Sequence, residues 1–415
     1  MAQCWVKPGR QDGTVQTYQI IQNGDDYLLP VYNRHKIVLM RGEGTKLYDS
    51  ERTVYLDFFS GIAVNSLGQA YPEVVNAIIE ETKKLGHVSN YYYNEPNVRL
   101  AKLLCEISFA QKVFFCNSGA EAVEAALKLA RKYFRKQSQE KYEVISFHRS
   151  FHGRTFGAIS ATGQVKYQEG LEPLLPGFKF GNFNHLESVE KLINEKTAAV
   201  LVEAIQCEGG VVPADIEFLK GLREVTKKNG ILLILDEVQT GLGRTGKMWA
   251  YEHYGIEPDM MTSAKALGGG LPMGALLVTN QVAQGFQPGD HASTFGGNPI
   301  VSAASIATIE TIIMKDLVIH AEKEGEYLKQ KLLALCNEYP SLIEDVRGMG
   351  LLWGIELNRN AASLVRFCEH QGLLLGSAHE TVLRFTPPLI VTRPEIDQAI
   401  QKLKTAIDEE LKATK

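Results

Sequence analysis

Apolar and polar positions change their rhythm along this chain, and the changes mark out its elements. From about residue 70 to 300, stretches of helical periodicity alternate with short apolar runs, the pattern of a mostly parallel sheet with helices on its faces. The runs at 113–116, 144–147, 199–203, 231–235, 260–263 and 275–279 are the clearest strands. Several are apolar throughout, as strands covered on both sides should be. Upstream, 37–59 alternates short apolar runs with turn signals at Gly42-Glu43-Gly44 and Asp49-Ser50, which predicts an antiparallel meander. Helical periodicity dominates 300–335. Beyond it come a strand at 351–357, a helix at 361–371, a strand at 382–385 and a last helix from Arg393, with Pro394 where a first-turn proline is tolerated. The expected architecture is α/β. A large, mostly parallel-sheet domain covers 60–305, and a small α+β domain is built from both chain ends, 1–59 and 306–415.

Composition adds mainly exclusions. A chain of 415 residues suits about two or three domains rather than one small core. A formal net charge of -4 and scattered basic residues give no footprint for nucleic acid or an anionic membrane surface. No stretch approaches the ~20 apolar residues of a membrane span. Cysteines at 4, 105, 116, 207, 336 and 368 form no CxxC pair, so reduced thiols are expected rather than a zinc knuckle, another metal site or a disulfide scaffold. The N-terminal MAQCWVKPGRQDG is polar and broken by Pro8 and Gly9, with no apolar signal core. A cytoplasmic protein is expected.

One motif misleads. Gly241, Gly243 and Gly246 match GxGxxG, Lys247 nearly completes a P-loop, and the preceding ILLILDE resembles a magnesium-holding acidic strand. Position 248 is Met, so the metal-ligating hydroxyl is missing. The acidic strand runs directly into the glycine loop, which leaves no room for a separate P-loop strand. Nucleotide binding is not expected.

Four other features point to one chemistry. Asp236 stands at the end of an apolar strand, the edge where open α/β sheets place ligands. A carboxylate there is costly without a cationic partner, although one that merely caps a turn would look the same. Val238 and Gln239 follow within the same turn. Lys265 comes after the apolar MMTSA and before Ala-Leu-Gly-Gly-Gly, so burial would strip its charge and make it a nucleophile and base; a solvated loop lysine is the alternative. In FFCNSGAEAVEAALKLA a strand stops at Cys116, Asn117 and Ser118 can cap, and a helix starts near Gly119 with Val123, Leu127, Ala130 and Phe134 on one stripe. Such an N-terminus binds anions. Phe151 and Arg154, in the FHGRT that follows another strand, offer a flat ring and a carboxylate-binding fork. A lysine, an acid, an anion site and an aromatic face are what pyridoxal phosphate requires of a protein.

The blocks NSGAEAVE, FHGRT, LDEVQTGLGRTG, SAKALGGGLPMGA and STFGGNP occur in this order. Together they resemble the class III pyridoxal-phosphate-dependent aminotransferases, with the likeness strongest to their acetylornithine members and running over about 28–410. The resemblance implies the aspartate-aminotransferase-like fold type I and a homodimer with shared active sites. It makes Lys265 the Schiff-base lysine and Asp236 the partner of the pyridine nitrogen. Val238 and Phe151 would flank the ring and Gln239 its oxygen. Ser118, Gly119 and Ala120 would hold the phosphate, with Thr294 supplied by the second subunit, while Arg154 and Ser293 would contact substrate.

Class III enzymes move a terminal amine onto 2-oxoglutarate, so one pocket accepts two differently charged substrates. The resemblance makes Arg384 a second carboxylate-binding arginine and Glu208 its mask; a structural salt bridge is the plainer reading. Tyr32 is a further substrate-facing candidate. The expected reaction takes the δ-amino group of N2-acetyl-L-ornithine. Ornithine, succinylornithine and 4-aminobutyrate are alternative donors, and a non-catalytic binding protein on the same fold is a remoter one. The chain departs from the family where it has Gln69 and Tyr71 for two histidines, and Ala204 and Cys207 for a proline and a glycine.

Overall fold

A computed structural model describes residues 13–413; Cys4 and most of the polar N-terminal stretch lie outside the described residues. Seven strands form the central sheet, in the order Lys112–Cys116, Gly274–Val278, Met260–Ser263, Leu232–Asp236, Thr197–Glu203, Glu143–Phe147, Phe178–Gly181. Only Gly274–Val278 runs antiparallel to its neighbours. All six strands expected from the apolar runs are present, with ends moved by one or two residues. Every residue of Thr197–Glu203 and of Leu232–Asp236 is buried, which is why those runs are apolar without alternation. The seventh strand, FKFG, carries a lysine and a glycine at the sheet edge and gives too short a pattern to read.

The 37–59 meander is the antiparallel set Leu39–Glu43, Lys46–Asp49 and Val54–Asp57, to which Leu373–Leu374 adds in parallel. A third sheet holds Ile343–Met349, Leu352–Leu357, Val382–Phe385 and Gly376–Ala378. Its first strand, IEDVRGM, went unread because half-exposed acids interrupt the apolar pattern. The periodicity over 300–335 is two helices, Pro299–Met314 and Leu317–Glu338, broken where Asp316 takes φ +50°. No helix among the described residues is long and apolar enough to cross a membrane.

The glycine-rich 241–248 segment is a buried tie between sheets, not a phosphate loop. The Gly243 N–H closes it onto the Met248 carbonyl at 3.1 Å. Arg244 is 1% exposed and donates through Nη1 to the carbonyls of Leu351 (3.0 Å) and Pro387, and through Nη2 to Ser66 Oγ at 3.3 Å. Burial pulls its guanidinium down to about 10. The tie needs Gly350: φ is +54°, and a Cβ there would lie 2.3 Å from the Thr245 backbone. Replacing Arg244 with methionine keeps an apolar stem but strands two buried carbonyls. The expected loss is about 2–4 kcal/mol, read as a lower midpoint in urea unfolding; an unchanged midpoint would deny the tie its role.

Candidate active site

The C-terminal ends of the central strands surround a cavity of about 400 Å³, within the range of cofactor sites. Asp236 and Glu203 end adjacent parallel strands in direct register. Lys265 lies two residues past Met260–Ser263, at φ +44° in a short 3₁₀ turn. Ser118, Gly119 and Ala120 follow Lys112–Cys116, and Phe151 follows Glu143–Phe147. All of these line the cavity with Val238, Gln239 and Glu208. Sheet geometry alone has gathered residues from five strand ends.

Each charged group is held in a defined state. The Lys265 amine is buried and has no hydrogen-bond acceptor among the described residues; burial pulls it below the ordinary lysine value, partly offset by Glu208, Cys207 and Asp236. Asp236 Oδ1 accepts from the Val238 N–H and the Thr262 hydroxyl, both at 3.1 Å. Its Oδ2 meets His152 Nδ1 at 2.7 Å, and the other ring nitrogen of that fully buried histidine has no partner among the described residues. A carboxylate oxygen accepts in this contact when the imidazole proton sits on Nδ1. Glu203 accepts the Phe151 N–H at 3.1 Å. Burial, then the neighbouring Asp236, push its carboxyl well above the usual range, which favours the uncharged acid.

The cradle beside them forms at the start of the helix Gly119–Lys136. Ser118 caps it, its Oγ accepting from the Glu121 N–H at 3.2 Å. Glu121 turns back to take the Asn117 N–H at 2.6 Å and its amide at 3.1 Å. The N–H groups of Gly119 and Ala120 meet no acceptor among the described residues, and they sit where the helix dipole is positive. Two glycines keep the approach open. A Cβ on Gly119 would lie 2.8 Å from Val238 Cγ1, and one on Gly153 2.6 Å from Ala120 Cβ.

Glu208 pairs with Arg384 Nη1 at the cavity's edge. Gln239 joins both, accepting from Arg384 at 3.2 Å and donating to Glu208 at 3.4 Å. Burial alone would raise the Glu208 carboxyl, but Arg384 and Lys265 outweigh it and hold the group below its ordinary value. Arg384 is 2% exposed, and its Nε has no partner among the described residues. Cys207 lines the same end, its thiol pushed far up by burial.

Other expected site residues lie outside the cavity of the single chain. Arg154 is exposed, its guanidinium 4.0 Å from the Tyr167 ring centroid and 5.6 Å from that of Phe151. Tyr32 is 72% exposed, with Arg34 over its ring at 5.2 Å. Thr294 lies in a separate recess with His87 and Asn90. Ser293 is near the cradle, its Oγ 3.3 Å from the Asn117 amide. Sequence reasoning assigned no role to His152 or Glu203. The signal was present: His152 stands inside FHGRT, and Glu203 ends an apolar strand as Asp236 does.

The family described as Aminotransferase class-III matches residues 30–407. An acetylornithine aminotransferase of Caldanaerobacter subterraneus subsp. tengcongensis is 48% identical over 385 residues, 92% of this chain and 98% of that protein. One from Methanocaldococcus jannaschii is 46% identical over 387 residues, 92% and 96% of the two chains. Among solved structures, an ornithine aminotransferase from Toxoplasma gondii superposes with TM-score 0.92 at 27% identity, covering 98% of this chain and 100% of that one. An N-acetylornithine aminotransferase from Stenotrophomonas maltophilia gives 0.82 at 34% identity, covering 95% and 100%. Matched over nearly its whole length and built on the same fold type I, the chain belongs to the class III aminotransferases.

Proposed function

We propose that this enzyme uses pyridoxal phosphate to move the δ-amino group of N2-acetyl-L-ornithine to 2-oxoglutarate, a step of arginine biosynthesis giving N-acetyl-L-glutamate 5-semialdehyde and L-glutamate. The observation that carries the reading is one cavity lined by Asp236, by a Lys265 amine without a hydrogen-bond acceptor among the described residues, and by the unmet N–H groups of Gly119 and Ala120. These residues fit the cofactor. Gly119 and Ala120 would hold its phosphate with the Ser118 cap, Asp236 its pyridine nitrogen, Phe151 and Val238 the ring faces, Gln239 the ring oxygen and Lys265 its carbonyl carbon. Bound there, the cofactor supplies an electron sink for the carbon being deprotonated.

The protein's own groups do the rest. A lysine disfavoured as a cation by burial is ready to take a proton from the donor's amine-bearing carbon and deliver it one position away. Three donors fix the Asp236 carboxylate: the Val238 N–H two residues on, the Thr262 hydroxyl of the adjoining strand and the ring of His152, 84 positions away in the chain. Glu208 masks Arg384 while the amine donor is bound, then releases it to the α-carboxylate of 2-oxoglutarate, as two half-reactions through one pocket require. Arg154, Ser293 and Tyr32 contact substrate. In the homodimer the second copy contributes Thr294. The large unit over 60–305 carries this chemistry, and the small unit from both chain ends brings Arg384.

Borohydride treatment of the reconstituted enzyme should fix the cofactor's mass on the peptide containing Lys265, and Lys265→Met should lose more than about 10³-fold in turnover. A variant as fast as the parent would remove the reading. For His152→Ala, the lost hydrogen bond to a charged group corresponds to about 10–100-fold in kcat with donor KM little changed; an equal rise in KM alone would assign the histidine to binding. A donor screen of acetylornithine, ornithine, succinylornithine and 4-aminobutyrate against 2-oxoglutarate should rank acetylornithine first. In Glu208→Gln that ranking should change, and an unaltered donor spectrum would end the masking idea.

A further inference from the structure

A second cavity opens on the opposite edge of the central sheet, where Glu143–Phe147, Phe178–Gly181 and Leu232–Asp236 begin. It holds about 300 Å³ and is lined by Arg131, Lys132, Arg135, Gln139, Glu140, Lys141 and Tyr142. Four cations face one carboxylate in a protein whose net charge is -4. Two are accounted for: Lys132 pairs with Asp290, and Arg135 with Glu140 at 3.3 Å.

Among the described residues, Arg131 and Lys141 have neutral partners only. Arg131 Nε donates to the Tyr142 carbonyl at 3.1 Å and Nη2 to the Pro176 carbonyl at 3.0 Å, which leaves Nη1 without an acceptor among the described residues. Lys141 donates to the carbonyls of Gly230 at 3.0 Å and Asn229 at 3.3 Å, over the Phe134 ring. Carbonyl dipoles fix a cation's position but leave its charge uncancelled. The nearby Glu124 is already bound to Thr155, Gly157 and Ala158. Burial lowers both Arg131 and Lys141, so each carries a desolvation cost that an anion would relieve.

Cations that only offset a helix dipole should sit in the last turn, as Arg135 and Lys136 do. Arg131 lies a turn earlier and reaches carbonyls of other segments, while Lys141 lies beyond the helix. Gly177, at φ +99°, leaves space for this arrangement, since a Cβ there would come within 3.3 Å of both Arg131 Nη2 and Tyr142. The donors are held in place before any ligand arrives, which lowers the entropy cost of binding one.

We propose that this cavity, with Arg131 and Lys141 as its anchors, binds a phosphate-type oxyanion at a site separate from the catalytic cavity. An arginine fork and an ammonium are the usual recognition pair for that charge. The test is calorimetric titration of inorganic phosphate into the cofactor-loaded enzyme, whose phosphate cradle is then filled, against chloride at matched ionic strength. Saturable binding is expected for phosphate alone, weakened about tenfold or more, the worth of one hydrogen bond to a charged group, in both Arg131→Gln and Lys141→Gln. Should Arg131→Gln fail to fold, Lys141→Gln decides alone. Absence of saturable binding, or undiminished affinity in the folded variants, overturns the site. So does affinity lost in Arg384→Gln but not in these variants, because the ion would then occupy the catalytic cavity.

Discussion

A parallel sheet buries its strands on both faces and frees the chain only at the ends, so charge that must be both sheltered and reachable collects there. In this molecule the constraint takes the form of a half-buried lysine among carboxylates. Burial pulls the Lys265 amine below its ordinary value, burial and Asp236 push the Glu203 carboxyl above its own, and three donors hold Asp236. Neighbouring groups are thus biased in opposite senses, the Lys265 amine downward and the Glu203 carboxyl upward.

Legibility followed physics. Strands sheltered on both faces must be apolar along their length, so Thr197–Glu203 and Leu232–Asp236 announce themselves, and the residues after them inherit a predictable position. Edge and hairpin strands such as Phe178–Gly181 and Ile343–Met349 carry glycine and charge because solvent reaches them, and they leave little pattern. The glycines of the 241–248 segment looked functional because close approach to backbone and close approach to a phosphate demand the same residue. Which demand applies is settled only by what Arg244 touches.

The same division holds within the site. Lys265, Asp236 and Gly119 stand at strand ends and can be found by position. Glu203 stands at a strand end too, but His152 meets Asp236 through its ring, and no spacing in the sequence reveals that a histidine will reach a residue 84 positions away. Arg154, Tyr32 and Thr294 lie outside the single chain's cavity, and sequence position by itself does not say where such side chains point.

Cys207 carries a last consequence. A thiolate beside a carbonyl reagent is a competing nucleophile, and sulfur adds to aldehydes readily. Here the sulfhydryl lines the cavity yet packs with Ile205, Val211, Leu352 and Val382, and burial keeps its proton on. Burial thus works on the pocket's two nucleophilic atoms in opposite senses: it keeps the proton on the Cys207 sulfur and favours its loss from the Lys265 nitrogen.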